Sequence, residues 1–247
     1  MVYNRKNKHI CFISAGLAGG GMEKSLTNIA NYAALQGHRV TIFNLFTTEV
    51  FFDLHPSIKV IWPSIDRQKY HRLVYALKLL PYIRRGLREL NPDTVLSFGE
   101  WFNGYVLLAT RFSGIPVFVT DRMGPLLDIG PLLETARKFL YKYADGIVAQ
   151  TKVAAEILYN KTGATKIKII PNALSPVDTE TSLKKNQIVT VGRLSREKGH
   201  VTLLEAFAKI KNKDWTLHIV GDGKEKANLM KLCKDSGIES RVFFTDI

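Results

Sequence analysis

The sequence predicts an α/β fold made of two doubly wound units, each with parallel strands joined by crossover helices. Three observations predict it. Short apolar runs alternate with helical patterns along the chain, these runs fall into two series separated by a polar stretch, and glycines cluster where strands turn into helices. The 247 residues allow one large domain or two modest ones.

The first series of strands reads His9 to Ser14, Arg39 to Leu45, Lys59 to Trp62, Thr94 to Ser97, Val117 to Thr120, Gly146 to Ala149 and Lys166 to Ile170. Between the first two runs, Leu26, Ile29, Ala30 and Ala33 repeat at helical spacing, and Gly37 supplies the stop. The second series opens at Gln187 with a strand to Val191. A helix with Leu203, Phe207 and Ile210 follows, then a strand from Thr216 to Val220, a helix with Leu229, Leu232 and Cys233, and a strand from Val242 to Thr245. Asn172 to Asn186 is polar and aperiodic, as a linker is. The expected division is therefore a first domain over 1–172, a linker over 173–186 and a second domain over 187–247. Three strands are few for an open nucleotide-binding sheet, so the second domain is expected to be incomplete here and the fragment to lack full activity.

Hydrophobic residues make up 46% and charged residues 23%, ordinary globular usage that excludes a wholly disordered chain or a collagen-like fibre. The net charge of +13 draws the chain toward phosphorylated ligands, anionic lipid or nucleic acid. Cys11 and Cys233, the two cysteines, build neither a disulfide framework nor a zinc knuckle. The six histidines show no HxxxH or HxH spacing, so no metal is expected. Arg5, Lys6 and Lys8 before an apolar run mimic a signal peptide, but the short run and the helix after the glycines suit a buried strand and turn better. With no run of 18 apolar residues, a cytoplasmic protein is expected, with at most peripheral contact to the membrane's inner face.

Two stretches carry chemistry. Gly16, Gly19, Gly20 and Gly21 sit between the first strand and its helix, where backbone N–H groups can approach an anion or a sugar hydroxyl at the positive helix end. Met22 stands where a Walker motif needs lysine, and Lys24 where a dinucleotide fingerprint needs its last glycine. A tight turn is the plainer explanation for these glycines. The second stretch, Val191-Gly-Arg-Leu-Ser-Arg-Glu-Lys-Gly199, places Arg193 at a strand's carboxyl end and Lys198 in the next turn. Two cations there can neutralise the charge that develops on a departing diphosphate; solvated surface charge is the alternative.

That second stretch, with Leu203-Leu-Glu-Ala-Phe207 and His218-Ile-Val-Gly-Asp-Gly223, resembles the nucleotide-sugar domain of glycosyltransferase family 4. Ile169-Ile-Pro-Asn172 resembles the family's end-of-first-domain signature, and Gly19-Gly-Gly-Met-Glu23 its acceptor-side glycine loop, so the likeness spans nearly the whole chain. It implies the GT-B fold, two Rossmann-like domains facing a cleft, and a retaining transfer of sugar from a nucleoside-diphosphate donor such as a UDP- or GDP-sugar. The acceptor would be a saccharide or lipid-linked glycan in surface-polysaccharide or lipopolysaccharide assembly. Neither metal nor cofactor is implied.

By the same resemblance Arg193 and Lys198 are the catalytic cations, and Gly192, Gly221 and Gly223 join them around the donor, with close packing an equal explanation for the last two. Gly19, Gly20, Gly21 and Glu23 border the acceptor side. Asp121 and Arg122 stand where many members have a histidine. Arg122 is then a phosphate or acceptor contact and Asp121 its partner or a polar cleft residue, with a buried salt bridge equally open. Asn103 and Glu100 either bind acceptor hydroxyls or serve the helix end. The family's acidic pair would lie beyond Ile247. An inactive relative that only binds sugar or membrane is the alternative reading.

From Arg67 to Leu90 the bases Arg67, Lys69, Arg72, Lys78, Arg84, Arg85 and Arg88 face one acid, Glu89. Leu73, Leu77 and Leu80, then Ile83, Leu87 and Leu90, form apolar stripes, and Pro81 is expected to divide two helices. Residues 67–90 could thus lie on an anionic membrane surface or pack ordinarily on the sheet. Nucleic acid is not an expected partner, since no helix-turn-helix, zinc, RNP or KH pattern occurs.

Overall fold

The computed structural model describes residues 7–122, 124, 129–173 and 185–246, and of residues 72 and 73 the backbone alone. The basic start at Arg5 and Lys6, most of the expected linker 173–186, and Ile247 lie outside the described residues. The chain divides into two compact units, Met1–Ser175 and Pro176–Ile247.

The first unit runs β1 (His9–Ser14), α1 (Gly21–Leu35), β2 (Arg39–Asn44), β3 (Lys59–Ile61), α2 (Arg72–Leu90), β4 (Thr94–Phe98), α3 (Glu100–Thr110), β5 (Val117–Asp121), α4 (Pro131–Leu140), β6 (Gly146–Ala149), α5 (Lys152–Thr162) and β7 (Ile167–Ile169). Its seven strands pair in parallel in the order β3-β2-β1-β4-β5-β6-β7. Both faces of this sheet are buried, which is why its strands are continuous apolar runs rather than alternating ones. Cys11 and Ile13 point to the side covered by Tyr75, Leu79, Ile83 and Leu87 of α2 and by Val106 and Leu107 of α3. Phe12 points to the other side, against Leu26, Ala30 and Ala33 of α1.

Helix α2 continues through Pro81 as one element, which corrects the expected division into two. Its buried stripe is Tyr75, Leu79, Ile83 and Leu87, and Leu77 is 71% exposed. Spacing alone allowed the stripe to be drawn from leucines at a different phase; the packing chose the phase that includes an aromatic residue, whose hydroxyl donates to the Leu45 carbonyl. Thr151 caps α5 by accepting from the Ala154 N–H at 3.0 Å, a contact worth about 1 kcal/mol, and Gly163 ends the helix in the left-handed region.

The second unit has β8 (Gln187–Val191), α6 (His200–Ala208), β9 (Thr216–Val220), α7 (Lys226–Asp235) and β10 (Val242–Thr245), with parallel strand order β10-β9-β8. Leu217 and Ile219 of the central strand face Leu204 and Phe207 of α6 and Leu229 and Cys233 of α7. No helix among the described residues is long and apolar enough to cross a membrane.

Candidate active site

In the first unit the strand order turns back between β1 and β4, and in such sheets ligands gather outside the carboxyl ends of the strands at that point. The glycine loop leaves β1 there. The Leu17 N–H donates to Thr48 Oγ1 at 2.8 Å and the Phe51 N–H to the Leu17 carbonyl at 3.0 Å, which pins the loop to the segment after β2. The Phe51 ring lies over Gly19, and the Glu23 carboxylate folds back into the space a Gly20 side chain would need. Gly21 faces open space and begins α1.

Around the next strand ends stands a cluster rich in donors. Arg122, the residue after β5, donates its backbone N–H to Glu100 Oε1 at the start of α3. Its guanidinium lies 4.6 Å from the centre of the Phe98 ring, and its Nη1 reaches Ser25 Oγ at 2.6 Å and Asn172 Oδ1 at 2.5 Å. Gln150, which follows β6, donates to the same Asn172 oxygen at 2.7 Å, and Ser25 Oγ lies 3.3 Å from it. One amide oxygen thus serves three donors, while the buried Nε of Arg122 has no hydrogen-bond partner. Burial lowers the Arg122 pKa and the Glu100 carboxylate opposes that shift. An arrangement with more donors than acceptors attracts an anion or a hydroxyl oxygen.

Asp121 and Asn103 face inward, which settles their expected roles differently. Asn103 has no exposed surface and donates to the Thr120 carbonyl at 3.1 Å and to the Tyr141 hydroxyl at 2.9 Å, so it does not meet an acceptor sugar. The Tyr141 hydroxyl donates to Asp121 Oδ1 at 2.7 Å, and Arg137 pairs with Asp121 Oδ2 at 3.3 Å. Asp121 is therefore the partner of Arg137 and not of Arg122. Burial pushes the Asp121 carboxyl up to about 6, against the pull of Arg137. Burial works against the charge on Arg137 too, but Asp121, Tyr141 and Glu134 outweigh it and its pKa is raised. This network packs the helices behind the strand ends and holds the residue before Arg122 in place.

In the second unit, the loop after β8 is fastened to the loop after β9. The Gly192 N–H donates to the Val220 carbonyl at 2.9 Å, Leu194 N–H to Asp222 at 2.9 Å, and Glu225 N–H to Leu194 at 3.1 Å. A side chain on Gly221, whose φ is +143°, would collide with the Gly192 carbonyl, and one on Gly223 would collide with the Leu194 carbonyl. Of the two explanations open for this glycine pair, close packing between loops is the one the geometry carries.

The loop holds Arg193 and Lys198 out to solvent. Residues 196–198 form a single 3₁₀ turn closed by Gly199 in the left-handed region, and the Lys198 stem passes 4.0 Å from where a Gly192 side chain would begin. The buried His200 ring lies 3.3 Å from the Arg193 carbonyl, bracing that residue's backbone. Neither cation makes an ion pair among the described residues. Glu197 stands near both; its pKa is lowered first by the Ser195 hydroxyl at 2.6 Å and by its own backbone N–H, and less by Arg193 and Lys198. No group of three or more His, Cys, Asp or Glu side chains among the described residues could hold a metal.

Sequence reasoning missed Ser25, Gln150, Tyr141 and Arg137. Gln150 carried a usable signal, since it directly follows a strand at the functional end of the sheet. Arg137 carried none, because a base within an amphipathic helix reads as solvated.

The family model described as Glycosyltransferase Family 4 matches residues 19–178, and that described as Glycosyl transferases group 1 matches residues 175–246. The chain is 32% identical over 245 residues to a Campylobacter jejuni N-acetylgalactosamine-N,N'-diacetylbacillosaminyl-diphospho-undecaprenol 4-alpha-N-acetylgalactosaminyltransferase, covering 92% of this chain and 66% of the relative. It is 23% identical over 231 residues to the amylovoran biosynthesis glycosyltransferase AmsD of Erwinia amylovora, covering 89% of this chain and 63% of the relative. Among solved structures, Anabaena HepE in complex with UDP and glucose superposes with a TM-score of 0.72 at 18% identity, over 98% of this chain and 70% of that one. The chain thus spans about two thirds of the length of these two relatives, and likeness at this level to solved GT-B structures establishes the fold. With the family model covering most of its length, the chain belongs to glycosyltransferase family 4.

Proposed function

We propose that this protein is a retaining glycosyltransferase that moves a sugar from a nucleoside-diphosphate donor to a saccharide or lipid-linked glycan acceptor in cell-surface polysaccharide or lipopolysaccharide assembly. One observation carries the reading: Arg193 and Lys198 stand on a loop fixed by main-chain hydrogen bonds, exposed and without an ion-pair partner among the described residues. A diphosphate leaving group gains negative charge as its bond to the sugar breaks, and cations already in position stabilise that charge without reorganising. Arg193 offers a planar fork for two phosphate oxygens and Lys198 a compact point charge. These two residues supply the charge a metal ion would otherwise bring, so the transfer is proposed to be metal-independent. Gly192 and the backbone around it would let the phosphates approach closely.

The donor-rich cluster of Arg122, Ser25 and Gln150, with the glycine loop at Gly19 to Gly21 and Glu23, is proposed to receive the acceptor side of the reaction. Two relatives support the acceptor class: one is named for a diphospho-undecaprenol-linked sugar and another for amylovoran biosynthesis. UDP in the HepE structure supports the donor class. The outward bases of residues 67–90, among them Lys78, Arg84 and Arg88, are proposed to draw the enzyme to an anionic cytoplasmic membrane surface, while Arg85 is offset by its ion pair with Glu89. The apolar stripe of α2 is spent on the core, so this attraction is electrostatic.

The test is release of UDP or GDP by the full-length protein from a panel of nucleotide sugars, with and without a chelator. Turnover of at least one donor, unchanged by the chelator, is expected. Turnover that vanishes on chelation contradicts the metal-free mechanism, and no release from any donor with any glycan acceptor contradicts the transferase reading.

A further inference from the structure

We infer that an aromatic pocket at the strand carboxyl ends of the first unit holds the first isoprenoid units of a polyprenyl-diphosphate acceptor, an inference that rests on the lipid-linked reading above and names its apolar contact. The pocket has a volume of about 390 Å³, within the range of small-molecule sites. Phe46 enters it from the segment after β2, Tyr75, Ala76 and Leu79 from α2, Trp101, Phe102 and Tyr105 from α3, and Leu133 from α4. The walls pack on one another: Phe46 stacks on Tyr75 with centroids 5.4 Å apart and meets Phe102 edge-on at 5.3 Å.

Its place ties it to the acceptor cluster. Trp101 follows Glu100, whose carboxylate holds the backbone of Arg122, so pocket and cluster share the first turn of α3.

Charge and polarity choose the occupant. Arg67 lines the pocket with its guanidinium 5.5 Å from the Tyr75 ring centre, while its neighbour Asp66 is taken up by the Gln68 N–H and by Lys69. A guanidinium with no ion-pair partner among the described residues, beside mostly apolar aromatic walls, fits an apolar chain with an anionic head. A sugar ring fits less well, because each hydroxyl buried without a partner costs about 1–3 kcal/mol, the Tyr75 hydroxyl already donates to the Leu45 carbonyl, and beyond Arg67 the lining offers its several hydroxyls little besides Trp101 and Tyr105. The two helices that flank the pocket also carry exposed leucines, Leu77 at 71% and Leu132 at 72%, where the rest of a long chain can pass toward a bilayer.

The test titrates farnesyl diphosphate, below its micelle concentration, into the full chain by calorimetry, beside inorganic diphosphate and lauroyl lysophosphatidylglycerol. Saturable farnesyl diphosphate binding at least tenfold tighter than either comparator is expected. Ala76→Phe, which fills the pocket, should weaken it at least tenfold, and Arg67→Gln about threefold to tenfold, with thermal midpoints and UDP affinity unchanged. Absence of saturable binding, equal affinity in Ala76→Phe, or equal affinity for inorganic diphosphate overturns the inference. Equal affinity for the lysolipid overturns the isoprenoid assignment in favour of a membrane phospholipid. UDP titrated into the same samples separates the failures: UDP binding without farnesyl diphosphate binding removes this pocket alone, whereas farnesyl diphosphate binding without any nucleotide-diphosphate binding removes the diphosphate assignment of Arg193 and Lys198 and leaves the pocket standing.

Discussion

Arg122 in the first unit and the Arg193–Lys198 pair in the second are both cations at the carboxyl ends of parallel strands, yet their surroundings are opposite. Arg122 is half-buried, lies on the Phe98 ring, and gives its hydrogens to Ser25 and Asn172. Arg193 and Lys198 are exposed, and only their backbone is fastened down. The difference teaches where order is stored. Around Arg122 the protein supplies the acceptors itself, so the group is oriented before any ligand arrives and contributes to stability. On the loop after β8 the side chains keep their charge uncommitted, so they contribute little to stability and stand available for the diphosphate proposed above.

Substitutions that separate stability from turnover sharpen this contrast. The largest effect is expected behind Arg122, where Asp121→Ala leaves the buried Arg137 with Glu134 as its one ion-pair partner among the described residues and strips the buried Tyr141 hydroxyl of its acceptor. Unfolding in denaturant should then need about 3–5 kcal/mol less free energy, and a midpoint unchanged from the parent protein contradicts the network. Arg193→Ala and Lys198→Ala should each lower kcat by about 10²–10³-fold, as loss of one charge-stabilising group does. Their stability should stay within about 0.5 kcal/mol of the parent. Normal turnover in both variants removes the diphosphate assignment. Arg122→Ala falls between, with about 1–3 kcal/mol lost on unfolding from the unpartnered groups left behind and weaker acceptor use. A variant that loses neither breaks the comparison.

A further effect is one of pH. Burial raises Asp121 from the usual 3.8 to about 6, so the folded state holds this proton more readily than the unfolded chain does. Its contribution to stability is fully present below about pH 4 and is lost as pH rises through about 6. Asp93 acts in the opposite sense: hydrogen bonds from the His9 N–H and Lys8 lower its pKa, and its contribution is lost as pH falls. Subtracting the Asp121→Asn curve from that of the parent isolates the first effect. The difference should move against the parent between pH 4 and 6.5, and a flat difference contradicts the raised carboxyl.

The fold was legible because apolar runs and glycine stops are local: the strands from His9 through Ile169 lie within a residue or two of the expected runs. The loop from Gly192 to Gly199 was legible for the same reason, since one short stretch holds both cations and the glycines that turn it. The Arg122 cluster was legible only in part. Ser25, Gln150 and Asn172 are far apart in sequence and of ordinary type, and meet only when α1, β6 and β7 reach one end of the sheet. The burial of Asn103 and Asp121 depends on Tyr141 and Arg137, whose partners no spacing announces. Pro81 misled because its missing N–H usually ends a helix, whereas here the helix continues through it.

The most direct test is calorimetric titration of UDP and GDP, each against its nucleoside, into the parent chain and an Arg193→Ala/Lys198→Ala double variant. The expected result is that a diphosphate binds at least tenfold tighter than its nucleoside in the parent and loses that advantage in the variant. A diphosphate preference that survives removal of both cations, or that never appears in the parent, contradicts the account.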